Sequence, residues 1–180
     1  PLRRYRDAHE RGAGAPGEKG EFVDSDSEVR LEDVRILLEE RSILRLLHGY
    51  AHAMDQGREE EWVDTFTPDA VFDVVEVVGD RRVHREEGRG DLAAYVAGYP
   101  KPPHFRKHVV MDPLIEVDGD AARVEAYWLL LQREDADGMP VLAAFGHYHD
   151  RLVKADGCWR IAERFAEVQA STTPVAAEAK

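Results

Sequence analysis

The stretch His108-Val-Val-Met-Asp-Pro-Leu-Ile-Glu-Val-Asp-Gly-Asp120 opens the part of the sequence that decides the fold. It is an apolar, partly β-branched run closed by Asp-Gly-Asp, which is typical of a strand that enters a hairpin. The strand-like run starts near 105, and three more follow at 121–134, 140–155 and 158–169, with turn signals between them. Strands joined directly by hairpins form an antiparallel meander rather than the parallel sheet of a βαβ fold.

The first half of the sequence has a helical pattern instead. A cluster of helix-capping residues at 24–28 precedes apolar positions spaced for one helix face, and Gly57 has the character of a C-terminal stop. A short helix at 59–65, a strand at 70–78 and a helix at 89–98 are expected next. The pattern predicts an α+β fold in which N-terminal helices close one side of a curved antiparallel sheet and leave a pocket for a small molecule. The predicted stripe of the first helix is Leu31, Val34, Leu38, Ile43, Leu47, Tyr50 and Met54.

Composition divides the chain into three parts. Residues 1–27 include a Gly- and Pro-rich stretch without apolar periodicity and are predicted to be an N-terminal arm, either mobile or lying along a neighbouring subunit. Residues 28–170 are predicted to form the domain, and residues 171–180 a C-terminal tail.

Charge and cysteine content exclude several classes of function. The net charge of −12 and the interleaving of basic with acidic residues disfavour binding to nucleic acid and to anionic membranes. No apolar run approaches the roughly 20 residues of a membrane span, and no signal segment is apparent, so we expect a cytoplasmic protein. The single cysteine, Cys158, excludes an internal disulfide framework and a multi-cysteine zinc site.

Two residues stand out as candidates for chemistry. Asp55 falls in the last turn of the first long helix, where the helix dipole disfavours a carboxylate, so it is either solvated or retained for a purpose. His108 lies on the first meander strand, and strict alternation would place Val110, Asp112 and Leu114 on the same face. A histidine on a covered face needs a hydrogen-bond partner, which a structural core histidine would also have.

Other polar and aromatic positions allow more than one interpretation. His48, His52 and Asp55 share a helix face with the spacing of metal ligands, although such trios also arise by chance. His147 and His149 face one side of a strand, which is either the pocket or solvent, and His147 is a candidate for substrate contact. Large apolar side chains are expected in the core or the pocket wall: Phe72, Tyr127, Trp128, Leu130 and Phe145.

Five stretches, taken in order, resemble the SnoaL-like branch of the nuclear transport factor 2-like superfamily. They begin with Tyr50-Ala-His-Ala-Met-Asp-Gln-Gly57 and Trp62-Val-Asp-Thr-Phe-Thr-Pro-Asp-Ala-Val-Phe72, continue in the 108–120 stretch, and end in 146–153 and 156–164. The resemblance covers roughly residues 30–170 and implies a cone-shaped curved sheet closed by helices. Within the branch, the sequence is similar to enzymes with a His–Asp pair: scytalone dehydratase, bile acid 7α-dehydratase and hexachlorocyclohexane dehydrochlorinase.

Carried across by motif position, this resemblance implies catalytic roles for Asp55 and His108, with Tyr50 as a hydrogen-bond donor. Asp112 stands where the branch often has Asn, and an extra acid there would change the ionisation of the pair. The substrate-contacting residues are expected to be Asp112, His147, Trp128, Phe72 and Leu130.

Two functions remain open on the sequence. The first is a lyase, isomerase or cyclase of secondary metabolism that uses neither metal nor organic cofactor and acts on a small hydrophobic molecule. The second is a non-catalytic ligand-binding or accessory subunit, like the small subunit of ring-hydroxylating dioxygenases, which shares the fold. Either is expected to assemble as a homo-oligomer, a trimer or a dimer.

Overall fold

A computed structural model describes residues 30–101, 105–133 and 137–172. The predicted N-terminal arm at 1–27 and all but the start of the predicted tail at 171–180 lie outside the described residues. The helices are α1 (Leu31–Asp55), α2 (Glu59–Val63) and α3 (Gly88–Gly98). The strands are β1 (Phe66–Glu76), β2 (Arg81–Glu87), β3 (Phe105–Asp118), β4 (Ala121–Arg133), β5 (Val141–Ala155) and β6 (Cys158–Ser171).

The strands form one curved open sheet in the order β2-β1-β6-β5-β4-β3. The last four strands are the predicted meander, in which each strand is antiparallel to the next. The β1–β2 hairpin adds to the β6 edge of the meander, and β1 runs parallel to β6. The long connection between these two parallel strands contains β2, α3 and strands β3 to β5. The predicted α+β architecture with a curved sheet and helices is confirmed.

The end of α1 is built by the predicted glycine stop. Gly57 has a φ of 67°, and the backbone N–H of Arg58 donates to the carbonyl of Ala53 at 2.9 Å. The N–H of Gly57 donates to the carbonyl of Met54, which completes the two bonds of a Schellman motif. This cap ends the helix at Asp55 and fixes the direction of its carboxylate.

The first two turns of α1 are not the buried stripe that the sequence predicts. Leu31 is 88% exposed and Leu38 is 59% exposed, and Val34 is also exposed. Burial begins at Ile43 and continues through Leu47 and beyond, where the helix packs against β3. The apolar pattern therefore extends beyond the part of the helix that has a partner among the described residues.

Strand β2 was not expected, because its sequence Arg-Arg-Val-His-Arg-Glu-Glu is dominated by charge. Only Val83 is fully buried, while Arg82 and Arg85 each reach the buried carboxylate of Asp73 on β1 at 2.9 Å. Cross-strand ion pairing to one buried acid replaces the usual apolar alternation, which explains why the pattern did not predict a strand.

A bulge in β3 overturns the predicted alternation. The register against β4 shifts between Met111 and Leu114, and Asp112 has a φ of 48°. Two residues of β3 therefore lie opposite one residue of β4. After the bulge, the side chains of β3 point to the face opposite to the one that strict alternation predicts. Asp112 and Leu114 are exposed and do not share the environment of His108.

The helices and the sheet enclose a single core of buried side chains, which draws mainly on α1, α2, the inner face of the sheet and α3. Within the described ranges, no helix has both the length and the apolar character to cross a membrane.

Candidate functional site

The structure brings Asp55 and His108 into direct contact, although they are 53 residues apart in sequence. Nδ1 of His108 lies 2.7 Å from Oδ1 of Asp55. The backbone N–H of His108 also donates to both carboxylate oxygens, at 3.2 and 3.0 Å. The exposed fractions of the two side chains are 11% for His108 and 7% for Asp55, so water has little access to the pair.

This arrangement fixes the chemical roles of the two ring nitrogens. The ionised carboxylate of Asp55 accepts a hydrogen bond from Nδ1–H, which leaves Nε2 as the basic nitrogen. Nε2 lies 3.4 Å from the hydroxyl of Tyr99, the residue that follows α3. Burial raises the pKa of Tyr99 above the ordinary value, so its hydroxyl keeps its proton at neutral pH.

His108 opens onto a cavity of about 480 Å³ between the helices and the inner face of the sheet. Its wall is mainly aromatic and aliphatic, with a few polar groups near the rim. The volume suits a small organic molecule of a few fused rings. The lining residues that matter below are His108, Tyr99, Tyr95, Tyr50, Trp128 and Tyr148.

Tyr50 also borders the cavity, but its surroundings differ from those of Tyr99. The guanidinium of Arg164 lies 4.2 Å from the centroid of the Tyr50 ring and 4.0 Å from the centroid of the Tyr148 ring. Burial raises the pKa of Tyr50, while the charge of Arg164 opposes that rise. Among the described contacts, the hydroxyl beside Nε2 belongs to Tyr99 and not to the predicted Tyr50.

Arg164 on β6 pairs with Asp150 on β5. Nε and Nη2 donate to the two carboxylate oxygens at 2.8 and 2.6 Å, and both side chains are fully buried. Burial alone would lower the pKa of Arg164, but the charge and hydrogen bonds of Asp150 outweigh it and raise that pKa. Asp150–Arg164 is therefore a permanent ion pair behind the cavity wall.

The remaining predicted contact residues divide between the two faces of the sheet. Phe72, Trp128 and Leu130 line the cavity. Asp112 lies at the exposed bulge, and His147 lies on the outer face, where it stacks on Tyr127. These two residues do not reach the cavity, because the bulge redirects β3 and because strand alternation turns His147 away from Tyr148.

One other expectation for side chains is wrong, and one of the alternatives left open does not match the geometry. Tyr127 and Phe145, expected in the core or the pocket wall, are 52% and 39% exposed on the outer face. His48, His52 and Asp55 form no metal-ligand cluster among the described residues. His52 instead lies near Gln56, at 3.4 Å, while Asp55 turns toward His108.

Tyr99 and Tyr95 were missed by sequence reasoning. Tyr95 lies in the short helix α3, and Tyr99 directly follows that helix. The one signal available was the aromatic spacing Tyr95–Tyr99, which places two rings on one side of the helix.

A second concavity, of about 550 Å³, lies on the outer face of the sheet and is lined largely by charged side chains such as Arg85, Glu125 and Arg151. It does not contain His108 or Asp55. We therefore take the inner cavity, which His108 lines with Asp55 bound to its ring, as the candidate active site.

Comparison with solved structures finds the same fold repeatedly. A protein of unknown function from Mycobacterium tuberculosis is 27% identical, with 77% of this chain and 76% of that chain covered and a TM-score of 0.65. The β subunit of a proposed aromatic-ring-hydroxylating dioxygenase from Novosphingobium aromaticivorans is 23% identical, with coverages of 78% and 95% and a TM-score of 0.69. A proposed scytalone dehydratase from the same organism is 24% identical, with coverages of 76% and 88% and a TM-score of 0.62.

Among curated proteins, none matches this sequence. The SnoaL-like domain family matches residues 35–165. This range includes α1 from its second turn, both members of the His–Asp pair and most of the cavity wall. The chain therefore belongs to the SnoaL-like family, within the nuclear transport factor 2-like superfamily.

Proposed function

We propose that this protein is a cofactor-independent lyase, isomerase or cyclase in which His108 and Asp55 act as a general acid–base pair on a hydrophobic small molecule. The observation that carries the proposal is the 2.7 Å contact between Nδ1 of His108 and Asp55, with Nε2 turned toward an apolar cavity. A non-catalytic binding subunit has no need to sequester such a pair.

In the proposed mechanism, Nε2 of His108 removes a proton from a carbon next to a carbonyl group. Asp55 stabilises the imidazolium that forms and keeps the ring oriented. The imidazolium then returns the proton to a leaving hydroxyl in an elimination, or to another carbon in an isomerisation. Tyr99, with its raised pKa, donates a hydrogen bond to the substrate oxygen on which negative charge develops.

The proposed substrate is a hydroxylated polycyclic or polyketide-type ketone of secondary metabolism. The cavity wall supplies Phe72, Trp128 and Leu130 for ring contacts. Polar groups at the rim, including Gln132 and Arg106, suit the oxygen substituents of such a molecule.

The test uses purified protein in D₂O with a panel of polycyclic hydroxyketones, analysed by mass spectrometry. A general base that abstracts a carbon-bound proton incorporates deuterium even where the natural product is unknown, and an elimination also removes one water. We expect exchange or product with the parent and a loss of about 10²- to 10⁴-fold in His108→Ala.

The matched control is His147→Ala, a change at a histidine on the outer face of the sheet, where it stacks on Tyr127 and does not line the cavity. It is expected to keep the parental rate. Equal rates in His108→Ala and the parent would refute the mechanism.

The alternative function, an accessory subunit, is favoured by one observation on the outer face. Tyr127, Leu131, Phe145 and Phe165 are exposed there and would suit a protein interface, including the proposed homodimer or homotrimer. Light scattering on the purified chain measures the assembly. Co-purification with a larger oxygenase chain, together with no exchange in any probe, would favour the accessory role.

A further inference from the structure

A second cluster of imidazole and carboxylate groups lies outside the candidate active site. His147 and His149 alternate on β5 and so point to the same face of the sheet. Glu167 is the cross-strand partner of His147 on β6. One ligand atom from each of the three side chains lies within 4.8 Å of the others, and all three side chains are half-buried.

The spacing of these groups is close to that of a metal coordination shell. Two ligand atoms each about 2.1 Å from a tetrahedral ion are about 3.4 Å apart. Nε2 of His149 lies 3.7 Å from Oε1 of Glu167, so this edge needs almost no adjustment. The rings of His147 and His149 are 4.5 Å apart between centroids, and a small rotation about the side-chain bonds brings His147 within range.

The neighbouring residues hold the cluster in this orientation. The other ring nitrogen of His149, Nδ1, lies 4.0 Å from the carboxylate of Glu125 on β4, longer than a hydrogen bond, so that a rotation of the exposed Glu125 side chain would bring the two groups into contact. A carboxylate on the far nitrogen fixes the tautomer of a metal-binding histidine. Tyr127 stacks on His147, with centroids 5.0 Å apart and an angle of 22° between the rings.

We propose that His147, His149 and Glu167 form a binding site for a divalent first-row transition metal ion such as Zn²⁺, with Glu125 as the orienting outer carboxylate. Two imidazoles and a carboxylate are the donor set that such ions prefer over Mg²⁺ or Ca²⁺. The two carboxylates balance the charge of the ion, and the fourth position of the shell is left for water. This site lies on the outer face, away from the cavity that contains His108.

The inference departs from the sequence analysis, which expected no metal. The His-X-His spacing was visible in the sequence, but the third ligand comes from a strand 18 residues further along. Only the register of β5 against β6 places Glu167 beside the two histidines.

Equilibrium dialysis of the full chain against Zn²⁺, with metal quantified by mass spectrometry, tests the proposal, since it measures binding whether the chain is monomeric or assembled. We expect one ion per chain at micromolar free metal. His149→Ala is expected to weaken Zn²⁺ binding at least 100-fold, and Glu167→Gln at least 10-fold. Glu125→Gln is expected to weaken it about 10-fold. Co²⁺ in place of Zn²⁺ should give the visible absorption of a four-coordinate site, lost in the same variants.

The control is the double variant His48→Ala/His52→Ala, which removes the exposed histidines of α1 and should leave binding unchanged. Circular dichroism without metal verifies that each variant is folded, and Glu167→Gln, which keeps the shape of the side chain, covers the case in which His149→Ala does not fold. The proposal is overturned if the parent binds no stoichiometric Zn²⁺, if His147→Ala/His149→Ala retains it, or if the α1 double variant loses it.

Discussion

Two buried carboxylates, Asp55 and Asp150, are each paired with a basic side chain, and the pairs differ in what the base can do. Asp55 holds the imidazole of His108, a type of group that can both accept and donate a proton, and one edge of the ring is open to the cavity. Asp150 holds the guanidinium of Arg164, which stays charged and packs against the rings of Tyr50 and Tyr148. The more deeply buried pair is therefore the less suited to catalysis. Burial alone does not mark a reactive pair, because reactivity also needs a titratable partner and an open edge.

The change expected to have the largest effect is Asp55→Asn. An amide no longer fixes the Nδ1–H tautomer or stabilises imidazolium, so turnover of a substrate identified by the exchange screen should fall about 10²- to 10⁴-fold. The matched variant is Asp150→Asn, which should lower the unfolding free energy more than it lowers the rate per folded molecule. A folded Asp55→Asn variant with the parental rate would contradict a catalytic role for the Asp55–His108 pair.

Arg164→Met tests the structural pair from the other side. Removing one partner leaves the carboxylate of Asp150 buried without a counterion, and we expect a loss of about 3–5 kcal/mol in the free energy of unfolding. Urea denaturation followed by tryptophan fluorescence measures it. The double variant Arg164→Met/Asp150→Leu should recover most of that loss, because no charge is then left buried. A single variant as stable as the parent would show that the ion pair contributes little.

Gly146→Ala concerns the floor of the cavity. An added Cβ at this position would lie 1.7 Å from the carbonyl oxygen of Glu167, the same oxygen to which Trp128 Nε1 donates at 3.1 Å. Backbone must shift to relieve the clash, at a cost of about 1–3 kcal/mol. Trp128 should move with it, so the fluorescence of the folded state and the affinity for cavity ligands should both change. Gly49→Ala, where an added Cβ meets nothing within 4 Å, is the control.

The sequence predicts the elements better than it predicts their environments. The hairpin turns near residues 118–120 and 155–157 and the helix stop at Gly57 are local signals, and the structure has them where the sequence placed them. Strand β2 escaped because its one buried side chain, Val83, gives no alternation to detect. The exposed turns at the start of α1 carry apolar residues without a described partner, and a helical pattern cannot show which of its turns will be covered.

For the candidate site, the strand register decided which residues could be predicted from the sequence. The contact between Asp55 and His108 could be proposed because two motifs placed them at a helix end and on a strand facing it. Asp112 was assigned to the same face as His108 only by assuming strict alternation, and the bulge with φ of 48° breaks it. Tyr99 lies outside any regular element, in a segment whose path no periodicity describes, so its hydroxyl could not be placed beside Nε2 of His108.

That missed hydroxyl gives the smallest of the expected effects. Tyr99→Phe removes the group 3.4 Å from Nε2 and keeps the ring. We expect the loss of one hydrogen bond, about 0.5–1.5 kcal/mol, which corresponds to a fall in rate of roughly 2- to 10-fold. Tyr50→Phe is the comparison: the ring that stacks on Arg164 remains, and the rate should change less than in Tyr99→Phe. Single-turnover kinetics on both variants separates the two hydroxyls. A larger loss in Tyr50→Phe would mean that Tyr50, the residue indicated by the sequence motif, is the hydrogen-bond donor. The Asp150–Arg164 pair would then support the chemistry by positioning Tyr50, and not only the packing of the cavity wall.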